Sequence, residues 1–160
     1  MIITEIGLNH LGNAKNVQTY IKKLINTDTD AITFQVREEE FYNKKWNSLY
    51  DTRLEKDLYI ESIYEVHNMG KKFGIALGDL GYLSFFESIG VDFYKVIRND
   101  ITNMDLINKM RDTGKEIIVS TGLSSEDDID KFVKYIGDNN NFKLNHTQLS
   151  YEIKDCNLSA

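Results

Sequence analysis

The stretch DTGKEIIVSTGLSSEDD, residues 112–128, contains in order a helix stop, a strand and a helix start. Gly114 supplies the left-handed backbone on which a helix ends. EIIVST, residues 116–121, is short, β-branched and apolar on both faces, which fits a strand buried in a parallel sheet. Ser124 followed by Asp127 resembles a capping box with Asp in the Glu or Gln position, so a helix is expected to begin there.

The same order recurs along the chain. IITEI (2–6), AITFQV (31–36), FGIAL (73–77), FYKVI (93–97) and FKLNHT (142–147) read as further strands. Gly70, Gly90 and Gly137 each stand between a helical run and an extended one, as Gly114 does. NVQTYIKKLI (16–25) places Val17, Tyr20, Ile21, Leu24 and Ile25 on one stripe. RLEKDLYIESIYEVH (53–67) does the same with Leu54, Leu58, Ile60, Ile63 and Tyr64. Asn103 is the expected N-cap of the helix in TNMDLINKM.

Repeated βα units predict an α/β fold with parallel strands, and their spacing of about 28 residues is that of a (β/α)8 TIM barrel. The expectation is a single domain, 1–160, that holds about six of the eight βα units. An open arc of six strands leaves two edges, and assembly into a homo-oligomer is one way to cover them.

Composition narrows the function. The chain has 160 residues, 41% hydrophobic and 28% charged, as an ordinary globular protein does. A net charge of −6 argues against nucleic-acid or anionic-membrane partners, which need a basic excess. No apolar run reaches the roughly 18 residues of a membrane span and no signal pattern opens the sequence, so a cytoplasmic location is expected. Cys156 is the single cysteine, so neither an internal disulfide nor a CxxC zinc site can form.

In parallel βα folds chemistry gathers at the C-terminal ends of the strands. The late polar residues there are Glu5, Gln35, Asp79, Lys95 with Arg98, Ser120 with Thr121, and His146 with Gln148. Wet strand ends account for any one of them. Glu5 and Lys95, however, lie inside apolar runs, where an unpaired charge is costly. Lys95 and Arg98 suit phosphate or carboxylate oxygens. Ser120, Thr121 and the helix start beyond them offer hydroxyls and free N–H groups to an anion, or a plain N-cap. Glu5 suits a general base or the orientation of a reacting hydroxyl.

The loop 37–52 carries Phe41, Tyr42, Trp46 and Tyr50, which either cover a substrate or pack on a neighbouring helix. Glu38, Glu39 and Glu40 read as a solvated run. His10 and His146 lack the spacing of a two-histidine metal motif.

TEIGLNHLGN (4–13) resembles the AEIG-NH-G motif of the sialic acid (N-acetylneuraminate) synthase family. DAITFQ (30–35) is similar to its DAVKFQ, FYKVIRNDITN (93–103) to YKI-SGEITN, IIVSTGLSS (117–125) to VILSTGM, and LNHTQLSYEIKDCNL (144–158) to its sixth-strand motif. The resemblance implies an aldolase-type barrel domain, without the family's C-terminal antifreeze-like domain. The implied activity is transfer from phosphoenolpyruvate to an N-acetylmannosamine-type sugar, releasing phosphate and using Mn2+ or Mg2+. The family's metal-ligand positions lie on strands seven and eight, so no metal residue is expected in this sequence. Carried over, Glu5 takes the catalytic glutamate position and Gln35 and Tyr151 sugar contacts, while Lys95 and Ser120 take phosphoenolpyruvate contacts.

Thr33 replaces a phosphoenolpyruvate-contacting lysine, and Arg98 or Arg37 is a candidate to restore the charge. The resemblance leaves open a non-catalytic relative that binds a phosphate or sugar ligand, an oligomeric structural module, and a Schiff-base aldolase using Lys95.

Overall fold

The computed structural model describes residues 1–43, 51–97 and 100–147. The strands are β1 (Ile3–Gly7), β2 (Ala31–Val36), β3 (Lys72–Leu77), β4 (Phe93–Val96), β5 (Glu116–Ser120) and β6 (Phe142–Asn145). The helices are α1 (Ala14–Leu24), α2 (Glu39–Tyr42), α3 (Lys56–Asn68), α4 (Leu83–Ile89), α5 (Met104–Arg111) and α6 (Glu126–Ile136). Each segment read as a strand is one. The fold is α/β, with a six-stranded parallel sheet ordered β1-β2-β3-β4-β5-β6. Among the described residues this sheet is open.

The chain divides into two compact units, Met1–Tyr94 and Lys95–Ala160. In the first, β1 pairs with β2 and β2 with β3, all parallel. β2 and β3 are apolar on both faces because both are covered. The ring of Phe34 meets Tyr59 of α3 and Phe73 of β3, at 6.0 and 5.5 Å. Even-numbered residues of β2 therefore face the helices, and Thr33 and Gln35 face the other way. In register with them on that second face are Glu5, Gly74 and Ala76. Gly74 is small for a reason: a Cβ there would lie 2.4 Å from the Phe93 ring.

In the second unit β5 and β6 pair in parallel, with Ile117 opposite Phe142 and Ser120 opposite Asn145. Phe132 of α6 meets Phe142 edge-on at 5.6 Å, which seats the helix on that strand.

Two local expectations need correction. The capping box of α6 is Ser125 with Asp128, one residue later than read from sequence: the Ser125 hydroxyl accepts from Asp128 N–H and the Asp128 carboxylate from Ser125 N–H, each at 3.1 Å. Both frames, Ser124–Asp127 and Ser125–Asp128, satisfy the motif, and the length of the preceding turn selects between them. The buried face of α3 is Tyr59, Ser62, Ile63 and Val66, which leaves Ile60 and Tyr64 exposed. Asn103 caps α5 as expected, its side chain accepting from Leu106 N–H at 3.2 Å. No helix among the described residues is long and apolar enough to cross a membrane.

Candidate functional site

In the first unit the strand ends bring Glu5 and Gln35 together around Gly7. A side chain on Gly7 would start 3.4 Å from Glu5 Cγ, 3.6 Å from Glu5 Oε1 and 3.8 Å from Gln35 Oε1. Gly7 also has φ +57, a conformation that β-carbon-bearing residues adopt at a cost. The β1–β2 register slips between Glu5 and Gly7, and this irregularity turns the strand end. Glu5 is solvent-exposed and Gln35 half-buried, so a carboxylate and an amide stand accessible side by side. Such a pair can take a proton and hold a hydroxyl.

Thr33, opposite Glu5 in the register, is fully buried, and its hydroxyl has no partner among the described residues. Arg37 lies beyond Gln35 on the same strand. It is nearly fully buried, donates from Nε and Nη2 to the Glu38 carboxylate at 2.7 and 3.0 Å, and stacks 4.2 Å over Phe41. Glu38 thus neutralises Arg37, which is not the free replacement cation considered from sequence, and Glu38 is not merely solvated. A Cβ at Gly78, just after β3, would sit 3.0 Å from Glu38 Oε2 and 3.1 Å from the Val36 carbonyl, so a side chain there would crowd the pair. The Tyr42 hydroxyl accepts from Arg37 N–H at 3.0 Å, and burial raises its pKa.

His10 lies in the turn between β1 and α1. It is fully buried beside Phe34, at 5.8 Å, and its Nδ1 accepts from Gly12 N–H at 3.1 Å. Burial drives its pKa down to about 4, outweighing the nearby Gly7 carbonyl, so the ring is neutral near pH 7. The signal for it in the sequence was a histidine between two glycines, where the backbone can fold back on the ring.

In the second unit Lys95 is half-buried on β4. Ser120 is buried, with its Oγ 2.5 Å from Thr147 Oγ1 and accepting from Gly122 N–H at 3.4 Å. Thr121 donates from its hydroxyl to Asn145 O at 3.2 Å. At the following helix start the capping box engages the Asp128 N–H, and Glu126, Asp127 and Asp128 place three carboxylates in the first turn, which disfavours an anion there. Asp79 also resolves into a cap, accepting from Gly81 N–H at 2.8 Å.

Arg98, Gln148, Tyr151, Trp46, Tyr50 and Cys156 lie outside the described residues. His146 is exposed, and no three His, Cys, Asp or Glu side chains gather into a metal site among the described residues.

Parallel βα units with a carboxylate and an amide at adjoining strand ends define an α/β protein of the class that builds its site from strand termini. The chain belongs to the NeuB family, matched over residues 11–160. It is 32% identical to an uncharacterised protein of Methanocaldococcus jannaschii over 99% of this chain and 50% of that one. It is 27% identical to the N-acetylneuraminate-9-phosphate synthase of Homo sapiens, over 79% of this chain and 40% of the relative. A crystal structure of N-acetylneuraminic acid synthetase from Leptospira borgpetersenii, in complex with citrate, superposes with a TM-score of 0.87 at 26% identity, covering 98% of this chain and 57% of that one. The chain spans about half the length of the curated relatives it matches.

Proposed function

We propose that these βα units are the first six of a (β/α)8 barrel. Its function is sialic acid synthase-like: it joins phosphoenolpyruvate to an N-acetylmannosamine-type amino sugar to give a nonulosonate and phosphate. The observation that carries the reading is the approach of Glu5 and Gln35 around Gly7, at the strand ends, in a chain of the NeuB family. Relatives named N-acetylneuraminate-9-phosphate synthase and N,N'-diacetyllegionaminic acid synthase support the substrate class, and so does the citrate, a polycarboxylate, held by the Leptospira relative.

In this reading Gln35 and Tyr151 hold sugar hydroxyls, while Lys95, Arg98 and Ser120 hold the carboxylate and phosphate of phosphoenolpyruvate. Glu5 moves the proton that accompanies attack on the sugar aldehyde. A divalent metal would polarise that aldehyde in the family; no step here runs through it.

A second reading, binding without turnover, is favoured by Thr33, which removes a cation from a site for a dianion, and by the pairing of Arg37 with Glu38. Calorimetry of phosphoenolpyruvate with this chain tests the common part. Saturable binding, weakened at least about tenfold by Lys95→Ala, is expected from loss of a charge-assisted contact. No binding at millimolar ligand overturns both readings. Phosphate release on adding N-acetylmannosamine and Mn2+ then separates condensation from binding alone.

A further inference from the structure

β6 carries one charge, Lys143, between Phe142 and Leu144. Phe142 meets Phe132 of α6, so it faces that helix, and Lys143, the next residue along the strand, faces the other way. In the register with β5, Lys143 stands opposite Ile118 and Asn145 opposite Ser120. The hydrogen bond between Ser120 Oγ and Thr147 Oγ1, at 2.5 Å, puts Thr147 on that face too. Lys143, Asn145 and Thr147 therefore form a polar row along Ser120, on the side turned away from α6.

Lys143 is exposed, and its ammonium group has no hydrogen bond or ion pair among the described residues, unlike Lys131, which is paired with Asp127. Same-face neighbours on a strand are about 7 Å apart, and the four-carbon stem of a lysine covers that distance. The ammonium can thus reach the level of Ser120, the residue that the proposed function assigns to phosphoenolpyruvate. That ligand brings both a carboxylate and a phosphate. Thr33 supplies no charge to them, and Arg37 is already neutralised by Glu38.

We propose that Lys143 is a further substrate-binding residue: its ammonium group meets phosphoenolpyruvate oxygens beside Ser120 and makes up a charge that Thr33 does not provide. The inference rests on the function proposed above. A lysine that points inward from an edge strand has a second use, since it blocks pairing with another strand. The two roles differ in what they do to ligand affinity. Met at position 143 keeps an apolar stem and removes the charge, and Arg keeps the charge.

Calorimetry of phosphoenolpyruvate with the 160-residue chain compares wild type, Lys143→Met, Lys143→Arg and Lys95→Ala, at low and high salt. Lys143→Met is expected to weaken binding at least about tenfold, and to flatten its salt dependence, by removing a charge-assisted contact. Lys143→Arg is expected to stay within about threefold of wild type. If Lys95→Ala weakens binding and Lys143→Met does not, this inference alone is overturned. Sedimentation that then shows Lys143→Met self-associating assigns the lysine to guarding the edge. Equal losses in Lys143→Met and Lys143→Arg also overturn it, because the charge is then not what acts. A wild type that binds no phosphoenolpyruvate at millimolar concentration overturns the proposed function, and the role of Lys143 with it.

Discussion

The turns after β1 and β5 join a strand to a helix with opposite materials. Between Gly7 and Asn13 the chain folds over a buried neutral imidazole, with Gly7 and Gly12 at φ +57 and +70, and enters α1 through a neutral Asn13 cap with no acidic residue in the first turn. Between Ser120 and Ser125 the chain is held by hydroxyls bonded to Thr147 and Asn145, and it enters α6 through a capping box, with three carboxylates in the first turn, one of them the box's own Asp128. Burial and steric fit hold the first turn. Individual hydrogen bonds, most of them in water, hold the second. A turn of the first kind can present Glu5 without a competing charge at the helix behind it.

The largest expected break in that comparison is Gly12→Ala. The new Cβ would meet Asp51 O at 1.9 Å in a left-handed backbone, and backbone cannot give way as a side chain can. A loss of roughly 3–5 kcal/mol in urea unfolding is expected, at the upper end for single substitutions.

Acid comes next. His10 is depressed from 6.5 to about 4 on folding, so between these values the unfolded chain binds the extra proton. The stability that the neutral ring contributes is complete above pH 6.5 and is lost as pH falls towards 4. At most about 3 kcal/mol is at stake, and His10→Gln should flatten this part of the profile. Denaturation curves at pH 7.5, 5.5 and 4.5 read it, and an unchanged slope in His10→Gln would contradict the assignment.

Ser125→Ala removes the reciprocal cap of α6 and is expected to cost about 1 kcal/mol, close to Asn13→Ala at α1. The two should differ in acid, because the Asp128 carboxyl, held low first by the Ser125 side chain and then by its N–H, rises only in the former. Carboxyl titration followed by magnetic resonance separates them.

The smallest effect runs in the stabilising direction. Each turn spends one leucine on a left-handed residue, Leu11 at φ 54 and Leu123 at φ 63, both exposed. Leu123→Gly and Leu11→Gly should each raise stability by about 0.5–1 kcal/mol by relieving that conformation. A loss of stability in either would mean that the leucine packs against something the solvent-exposed position does not suggest.

Much of this was legible in the residues. AITFQV is a strand at the limits read from its apolar, β-branched run, and Asn103 caps its helix, because both depend on neighbours close in sequence. The α6 cap was misplaced by one residue because two overlapping frames fit the same motif. On α3, Ile60 and Tyr64 satisfied helical spacing as well as Tyr59 and Val66 did, and only the position of the sheet decided which residues are buried. The Glu5 and Gln35 positions followed from strand ends and from the family motif, yet their approach around Gly7 depends on a register slip that no spacing rule reports.

The sequence by itself determined the alternation of strands and helices, the polar residues at the strand ends and the family, since each rests on local periodicity or on a contiguous motif. Only the tertiary structure decided that Arg37 is neutralised by Glu38, that Ser125 rather than Ser124 caps α6, and that His10 is buried and neutral. Charge balance and burial are properties of what surrounds a side chain, and most of those surroundings come from residues distant in the chain.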